Sequence, residues 1–546
     1  MDRRSFIRNT SLGLGAAGNT KLEGWNISVL DSLYKPEVEN DHILVIIQLF
    51  GGNDGLNTIV PYESDDYYKW FRPKLAIPKS STLPIGDKGL GNAMNPMLRK
   101  GIKDGMLGLF NAGKLAILQG VGYPNPNLSH FRSTDIWFAG ITPQNDTELL
   151  GTGWLGRYFD SYNAGKLPDS PYSIHVGDTP LLLFQGENEE KAIVLENIDD
   201  FLAQAENVSG EKVEILEDSI FKGEFDHINN IGLKVNHYSA GIKNAYNAGR
   251  NMENYTDESI SNQLKLVAKL IDGGLKTKVY SVSLGGFDTH GSQGVLDGQH
   301  ADLLRQLSEA MASFQSDIEK LGHSNRVLGI TISEFGRRPY ENASLGTDHG
   351  TANVMFAFGD EVKPKIFGSN LVSLPFLDNE NISHRYDFRS IYQEILRTWL
   401  GASSFLTEKL LGGKYAYVEN EGFLKSTQKD LSLPAQPVVA QVVHDPQSHN
   451  NPNYVDPRTV TEQDVFRLSP NPTIDGNVQL AMILYLENKV TITQVSLNGT
   501  EYGELHSGNY KIGSYILPLQ LRGGSGFYLL KIRVGNRSHL LKAIKL

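Results

Sequence analysis

Near-continuous apolar runs recur along the chain at long intervals. His42–Phe50, Leu115–Gln119, Val279–Leu284, Arg326–Ile332 and Val354–Phe358 are rich in aliphatic and β-branched residues, with little polar alternation. Such runs suit strands buried on both faces, as in a parallel sheet. Between them the period changes. Glu258–Ile271 and Ala301–Leu321 carry apolar residues at helical spacing, and Asp387–Leu400 opens on an acidic residue and closes at Gly401. Strands alternating with helices predict an α/β fold: a mostly parallel sheet flanked by helices over residues 42–425, with ligands bound at the carboxyl ends of the strands.

Beyond Lys425 the pattern gives way to scattered prolines (Pro434, Pro437, Pro446, Pro452, Pro457) and a polar run, Ser448-His449-Asn450-Asn451, so residues 426–463 read as an extended linker. From Phe466 to Leu546 the chain becomes strand-like. Val478–Leu486, Lys489–Leu497, Tyr510–Leu519, Gly526–Val534 and Ser538–Lys545 are separated by turn signals such as Asn498-Gly499 and Gly535-Asn536. This predicts a small all-β sandwich. At the other end, Arg3-Arg4-Ser5-Phe6-Ile7 precedes a small-residue stretch, Leu12–Gly18, and residues 1–30 resemble a twin-arginine export signal.

Composition narrows the classes. The 546 residues are 40% apolar and 21% charged, which suits a cored globular protein, and the net charge of −11 argues against general nucleic-acid binding. With no cysteine, disulfides, thiolate metal sites and cysteine nucleophiles are excluded.

Chemistry-bearing residues gather at the predicted strand ends. Asp54 follows the first strand within Gly51-Gly52-Asn53-Asp54-Gly55, either as a projecting carboxylate or as a turn former. Ser129 opens a helix-like stretch, where it would cap the helix or use the positive end of the helix dipole as a nucleophile; His130 beside it is a partner base or a packed side chain. Asp288 and His290 sit two residues apart past the strand Val279–Leu284, so an extended backbone points both to one face, and carboxylate plus imidazole suits zinc or manganese. His300 is a possible further ligand. Asp348-His349, flanked by Gly346 and Gly350, is half of a possible metal site.

Taken in order, Gly51–Thr58, Ser129-His130-Phe131, Gly153–Tyr158, Gly286–His290, Ser333-Glu334-Phe335-Gly336-Arg337 and Gly346–Gly350 resemble the bacterial family called domain of unknown function 1501, across residues 42–415. That family looks related to the alkaline phosphatase/sulfatase superfamily. The resemblance implies an alkaline-phosphatase-like fold and two divalent metal ions, one held by Asp54, Ser129, Asp348 and His349, the other by Asp288 and His290. It implies a secreted hydrolase of phosphate or sulfate esters, with Ser129 as nucleophile and Arg132 or Arg337 holding the substrate's oxyanion. The substrate would be a small-molecule or glycan ester. The Asp–His spacing is shorter than in related hydrolases, so the first site is expected to be incomplete, and Ser129-His130-Phe131-Arg132 does not fit a formylglycine sulfatase. Glu334 is prominent in the family pattern but acquires no role. The alternative is a non-catalytic cell-surface binding or assembly protein that keeps the α/β shell.

Phe466–Pro472, with Gly476, Gly526-Phe527-Tyr528 and the terminal Lys542–Leu546, resembles the C-terminal sorting domain of type IX secretion in Bacteroidetes-type bacteria. Together with the N-terminal signal it implies the twin-arginine and type IX machineries as partners, and an exported protein at the cell surface or outside the cell.

Overall fold

The computed structural model describes residues 40–434 and 465–545, apart from 86–90, 144–147, 163–166, 188, 208–221, 369–376, 379–380, 429, 431, 470–475, 485–487, 497–500, 511–512, 525 and 536. Residues 1–30, most of the 426–463 linker, Pro470-Asn471-Pro472 and Asn498-Gly499 fall outside the described residues. The chain divides into two compact units, Met1–His444 and Asp445–Leu546.

In the first unit the strands of the central sheet and of the hairpin beside the site are β1 (Ile43–Leu49), β2 (Leu115–Gly122), β3 (Ser173–Val176), β4 (Ala192–Leu195), β5 (Val279–Leu284), β6 (Val327–Ile332), β7 (Arg337–Glu341), β8 (Thr347–His349), β9 (Asn353–Phe358), β10 (Ile366–Phe367) and β11 (Tyr386–Asp387). The helices that matter here are α1 (His130–Ala139), α2 (Trp154–Asp160), α3 (Lys222–Ala248), α4 (Ser259–Asp272), α5 (Gln299–Lys320) and α6 (Phe388–Glu394). Nine strands form one sheet in the order β10-β2-β9-β6-β1-β5-β3-β4, with β11 beside β2. The pairs β1–β5, β1–β6, β3–β4, β3–β5, β10–β2 and β11–β2 are parallel. Strand β9 alone runs against its neighbours β2 and β6. Between β6 and β9 the chain forms only the β7–β8 hairpin, with no crossover helix to carry it back to the start of a parallel strand, so β9 returns antiparallel to β6.

Strand β1 shows why its sequence is apolar throughout. Ile43, Val45, Ile47 and Leu49 enter the core on one face, with α4 and α5, while Leu44 and Ile46 enter the core on the other, with α1, α2 and α6. Both faces are covered, so alternation would be destabilising. The helices read from the sequence lie where periodicity places them, except that the Asp387–Leu400 helix is regular only to Glu394 and continues as a π-helical turn, Ile395–Trp399. Asp387 caps it, its side chain accepting from the Arg389 amide. Strands β3 and β4, at four residues each, extend the sheet beyond what the apolar runs indicate.

The second unit holds two antiparallel sheets. One contains β12 (Val465–Ser469), β13 (Asn477–Leu484) and β16 (Gly513–Gln520); the other contains β14 (Asn488–Ser496), β15 (Glu501–Tyr510), β17 (Gly526–Val534) and β18 (Arg537–Lys545). Alternate residues from both (Val478, Leu480, Met482, Val490, Ile492, Leu530, Ile532) share one core. The expected single strand Tyr510–Leu519 is two: β15 ends at Tyr510 and β16 begins at Gly513. Among the described residues, no helix is long and apolar enough to cross a membrane.

At the centre of the sheet Gly329 on β6 pairs with Phe358 on β9, and a Cβ there would lie 2.1 Å from the Phe358 ring. Both residues are buried, so the ring has little room to yield. Gly329→Ala is expected to lower the unfolding free energy by about 1–3 kcal/mol, measured by urea denaturation, with Phe358→Leu restoring part of the loss in the same background. An unshifted midpoint for Gly329→Ala would show that the ring moves aside freely.

Candidate metal centre

Strands β1, β2, β5 and β6 end at the same edge of the sheet, and there the chain segments that follow them converge. Gly51 makes the approach possible: its φ is +116°, and a Cβ would stand 2.3 Å from the Asp288 amide nitrogen. His130 begins α1, Asp288 and His290 follow β5, and His349 ends β8 in the hairpin β7–β8. One donor atom from each of His130, Asp288 and His349 lies within 4.8 Å of the others. His290 joins them: its Nε2 is 2.8 Å from His349 Nε2 and 3.2 Å from Asp288 Oδ1. His349 Nε2 is 3.3 Å from the same oxygen, and His130 Nε2 is 3.4 Å from Asp288 Oδ2.

The other nitrogen of each ring is tied to an acceptor. His130 Nδ1 is 2.8 Å from Glu334 Oε1, His290 Nδ1 is 3.1 Å from Asp348 Oδ1, and His349 Nδ1 is 2.8 Å from the Leu128 carbonyl. Both carboxylate oxygens also accept elsewhere, Glu334 Oε1 from the Gly51 amide and Asp348 Oδ1 from Asn342 Nδ2. Each Nδ1 therefore donates, and each Nε2 is left with its lone pair pointing inward. Three imidazole lone pairs and a carboxylate at about 3 Å repel one another unless a cation sits among them. Carboxylate- and carbonyl-braced imidazoles are how metal-ligating histidines are held. The donor set fits a divalent metal ion, and it is the one such group among the described residues.

Electrostatics agree with ligation. Burial pushes the Asp288 carboxyl up, but the hydrogen bond and charge of Arg337 outweigh it and hold the group down to about 2, so it is ionised. Burial, with the Arg337 charge, brings His349 down to about 4 and keeps it neutral. The cluster is open on one side: the side chains of Asp288 and His290 are 48% and 44% exposed.

The structure brings Asp288, His290 and His349 together as candidate ligands and adds His130, read from sequence as a catalytic partner. It puts other candidates elsewhere. Asp348 stands behind His290 as its brace. Asp54 is fully buried, with Arg72 Nη1 and Nη2 at 2.6 and 2.9 Å from its two oxygens and Gln293 Nε2 at 2.6 Å. Its carboxyl is pushed up by burial and pulled lower still by Arg72, so its charge is spent on an internal ion pair rather than on the cluster. Arg337 does not face substrate. Its side chain is wholly buried, donating to the carbonyls of Gly51, Gly52, Phe287 and Thr347 and to Asp288 Oδ1. Ser129 is the N-cap residue of α1, yet its hydroxyl makes no capping hydrogen bond. Arg72 and Gln293 carry no sequence signal, and Glu334 is marked only by its place in the Ser333–Arg337 motif just past β6.

The sequence model of the family described as a protein of unknown function (DUF1501) matches residues 116–450. No curated protein matches the chain. Among solved structures, a protein in the alkaline phosphatase superfamily from Vibrio parahaemolyticus aligns at 8% identity and a TM-score of 0.34, over 96% of this chain and 92% of its own. PsFucS1 sulfatase from Pseudoalteromonas sp. aligns at 9% identity and 0.30, over 87% and 83%.

His300, a further candidate ligand, is buried and donates Nε2 to Asn53 Oδ1 at 3.1 Å. Burial lowers its pKa to about 4 from 6.5. As pH falls from 6.5 to 4 the unfolded chain takes up a proton that the native protein refuses. The stability present above 6.5 is therefore lost across that window, by up to about 3 kcal/mol. His300→Gln is expected to flatten the pH dependence of urea stability between 6.5 and 4; an unchanged slope would assign it to other groups.

Proposed function

The chain belongs to the DUF1501 family, whose description gives no activity, and we propose that it is an exported, metal-dependent hydrolase of phosphate or sulfate esters with Ser129 as nucleophile. The observation that carries this reading is the convergence of three inward-facing imidazole nitrogens and Asp288 beside a serine whose hydroxyl is free of capping. Three nitrogens and an oxygen suit zinc or manganese, held by His130, Asp288, His290 and His349. When bound, the ion supplies Lewis-acid polarisation of an ester oxygen and stabilises charge there.

The remaining steps belong to the chain. Ser129 sits at the N-terminus of the ten-residue α1, where the helix dipole favours negative charge on its oxygen and on an approaching anion. Glu334 and Asp348 fix the tautomers of His130 and His290, keeping their Nε2 lone pairs available. Arg337 neutralises Asp288 from behind and leaves anion binding to other groups. One donor set among the described residues, rather than two, supports a single metal ion. Passage through the twin-arginine and type IX machineries is part of the proposal, supported by the terminal sequence patterns, and the ester substrate is a small molecule or a glycan.

A second reading has its own support. With Asp54 engaged by Arg72 and Arg337 turned inward, two parts expected of an esterase are committed to structure. A metal-dependent binding protein at the cell surface would need only the cluster.

Purified full-length protein is expected to carry about one equivalent of zinc or manganese by elemental analysis and to hydrolyse an aryl phosphate or sulfate ester. Ser129→Ala should retain the metal and lose on the order of a thousandfold in kcat. Metal with no hydrolysis would favour the binding reading; neither metal nor a Ser129 effect would remove the hydrolase.

A further inference from the structure

Below the metal cluster lies a polar layer to which the reaction assigns nothing. Asp54, Arg72, Thr289, Gln293 and Thr347 are all at most 1% exposed. Gln293 is its hub. Its Oε1 accepts from the Thr289 hydroxyl at 2.9 Å and from the Thr347 hydroxyl at 2.8 Å, and its Nε2 donates to Asp54 Oδ2 at 2.6 Å. Thr289 lies between the ligands Asp288 and His290. Thr347 precedes Asp348, the brace of His290, and the ligand His349. Asp54 is in turn fixed by the two-pronged contact with Arg72, whose guanidinium also donates to the carbonyls of Arg338 and Pro339 on β7, the strand paired with β8.

We infer that Gln293 is a positioning residue for the metal centre: one buried amide clamps both ligand-bearing segments to the Asp54–Arg72 ion pair, so that metal affinity depends on a side chain whose own bonds are made to non-ligating groups. The two segments also share three backbone bonds, Thr347 N–H to the Thr289 carbonyl at 3.0 Å and the Ser292 and Gln293 amides to the Ser344 and Leu345 carbonyls at 2.9 Å, which fix the backbone path but not the side chains next to the ligands. The Gln293 amide joins the side chains of Thr289 and Thr347, the residues adjacent to the ligands on each segment. Its carbonyl spends both lone pairs on the two threonines, so both hydroxyls lose their partner together when it is removed. Groups bonded directly to metal ligands typically alter affinity 10- to 100-fold; Gln293 acts one bond further out, which places its effect at the low end of that range.

The inference rests on the metal reading above, and the test separates the two. Full-length protein stripped of metal would be titrated with zinc by calorimetry and with cobalt(II) by visible absorption, whose bands report ligand geometry. Gln293→Met keeps the shape and removes the polar atoms; Thr289→Val removes one clamp with little risk to folding, and Thr289→Ser keeps it. Zinc affinity is expected to fall about tenfold or more in Gln293→Met and Thr289→Val, with altered cobalt bands. Thr289→Ser should match the unaltered protein, and the double variant should be no weaker than Gln293→Met alone. Unchanged zinc affinity and cobalt bands in Gln293→Met and Thr289→Val, whatever their melting temperatures, would overturn the inference and leave the metal centre standing. Failure of the unaltered protein to bind either ion would overturn both.

Discussion

Three imidazoles held by their Nδ1 atoms are the constraint from which the site follows. An imidazole free to rotate would turn a protonated nitrogen toward its neighbours and form an ordinary hydrogen bond. Here Glu334, Asp348 and the Leu128 carbonyl forbid that. The bracing atoms for His130 and His349 come from 204 and 221 residues away in the chain, so the electron-rich pocket exists only after the sheet has assembled. Its convergence is a property of the fold and not of any local motif.

Two buried guanidiniums keep that arrangement electrically tolerable. Arg337 gathers the carbonyls at the ends of β1, β5 and β8 and offsets the charge of Asp288; Arg72 does the same for Asp54 one layer down. Isolated buried charges are costly, and removing one partner of such a pair is far more damaging than replacing both. Arginine suits these places because its planar fork serves several acceptors at once. The residue that looked like a substrate clamp in the sequence is, by the same chemistry, a clamp on the backbone.

The architecture was legible in the sequence wherever packing imposes a period. β1 and β6 are buried on both faces and read as near-continuous apolar runs, and α4 and α5 bury one stripe and read as helices. What escaped was short or polar. β3 and β4 have four residues each, and Glu501–Tyr510 is a strand whose sequence holds two glycines and five charged or polar residues besides its tyrosines, held by its pairing with β14. For the site, Asp-x-His and Asp-His past strand ends drew attention to Asp288, His290 and His349, and the structure brings these three within about 3 Å of one another. Spacing did not foresee that His130 would lie against Asp288 or that Asp54 would be paired with Arg72. Nothing about a carboxylate in a glycine-rich turn announces that an arginine 18 residues on will take both its oxygens, and nothing about a histidine beside a serine tells a base from a ligand. Those distinctions depend on which lone pair is already committed, a three-dimensional fact.

The N-terminus of α1 is where local stability and chemistry part ways. A serine at that position ordinarily accepts a hydrogen bond from a first-turn amide, and the loss of such a cap costs about 1 kcal/mol. Ser129 makes no such bond, although Asn127 Oδ1 accepts from its backbone amide and holds the residue in the extended conformation that capping requires (φ −84°, ψ 128°). The backbone is set for a cap that the side chain does not form, while the next residue turns its imidazole into the metal cluster. Departures of this kind from local preference concentrate at functional sites. The forgone cap leaves the Ser129 hydroxyl uncommitted to the helix, the condition that the proposed nucleophile requires.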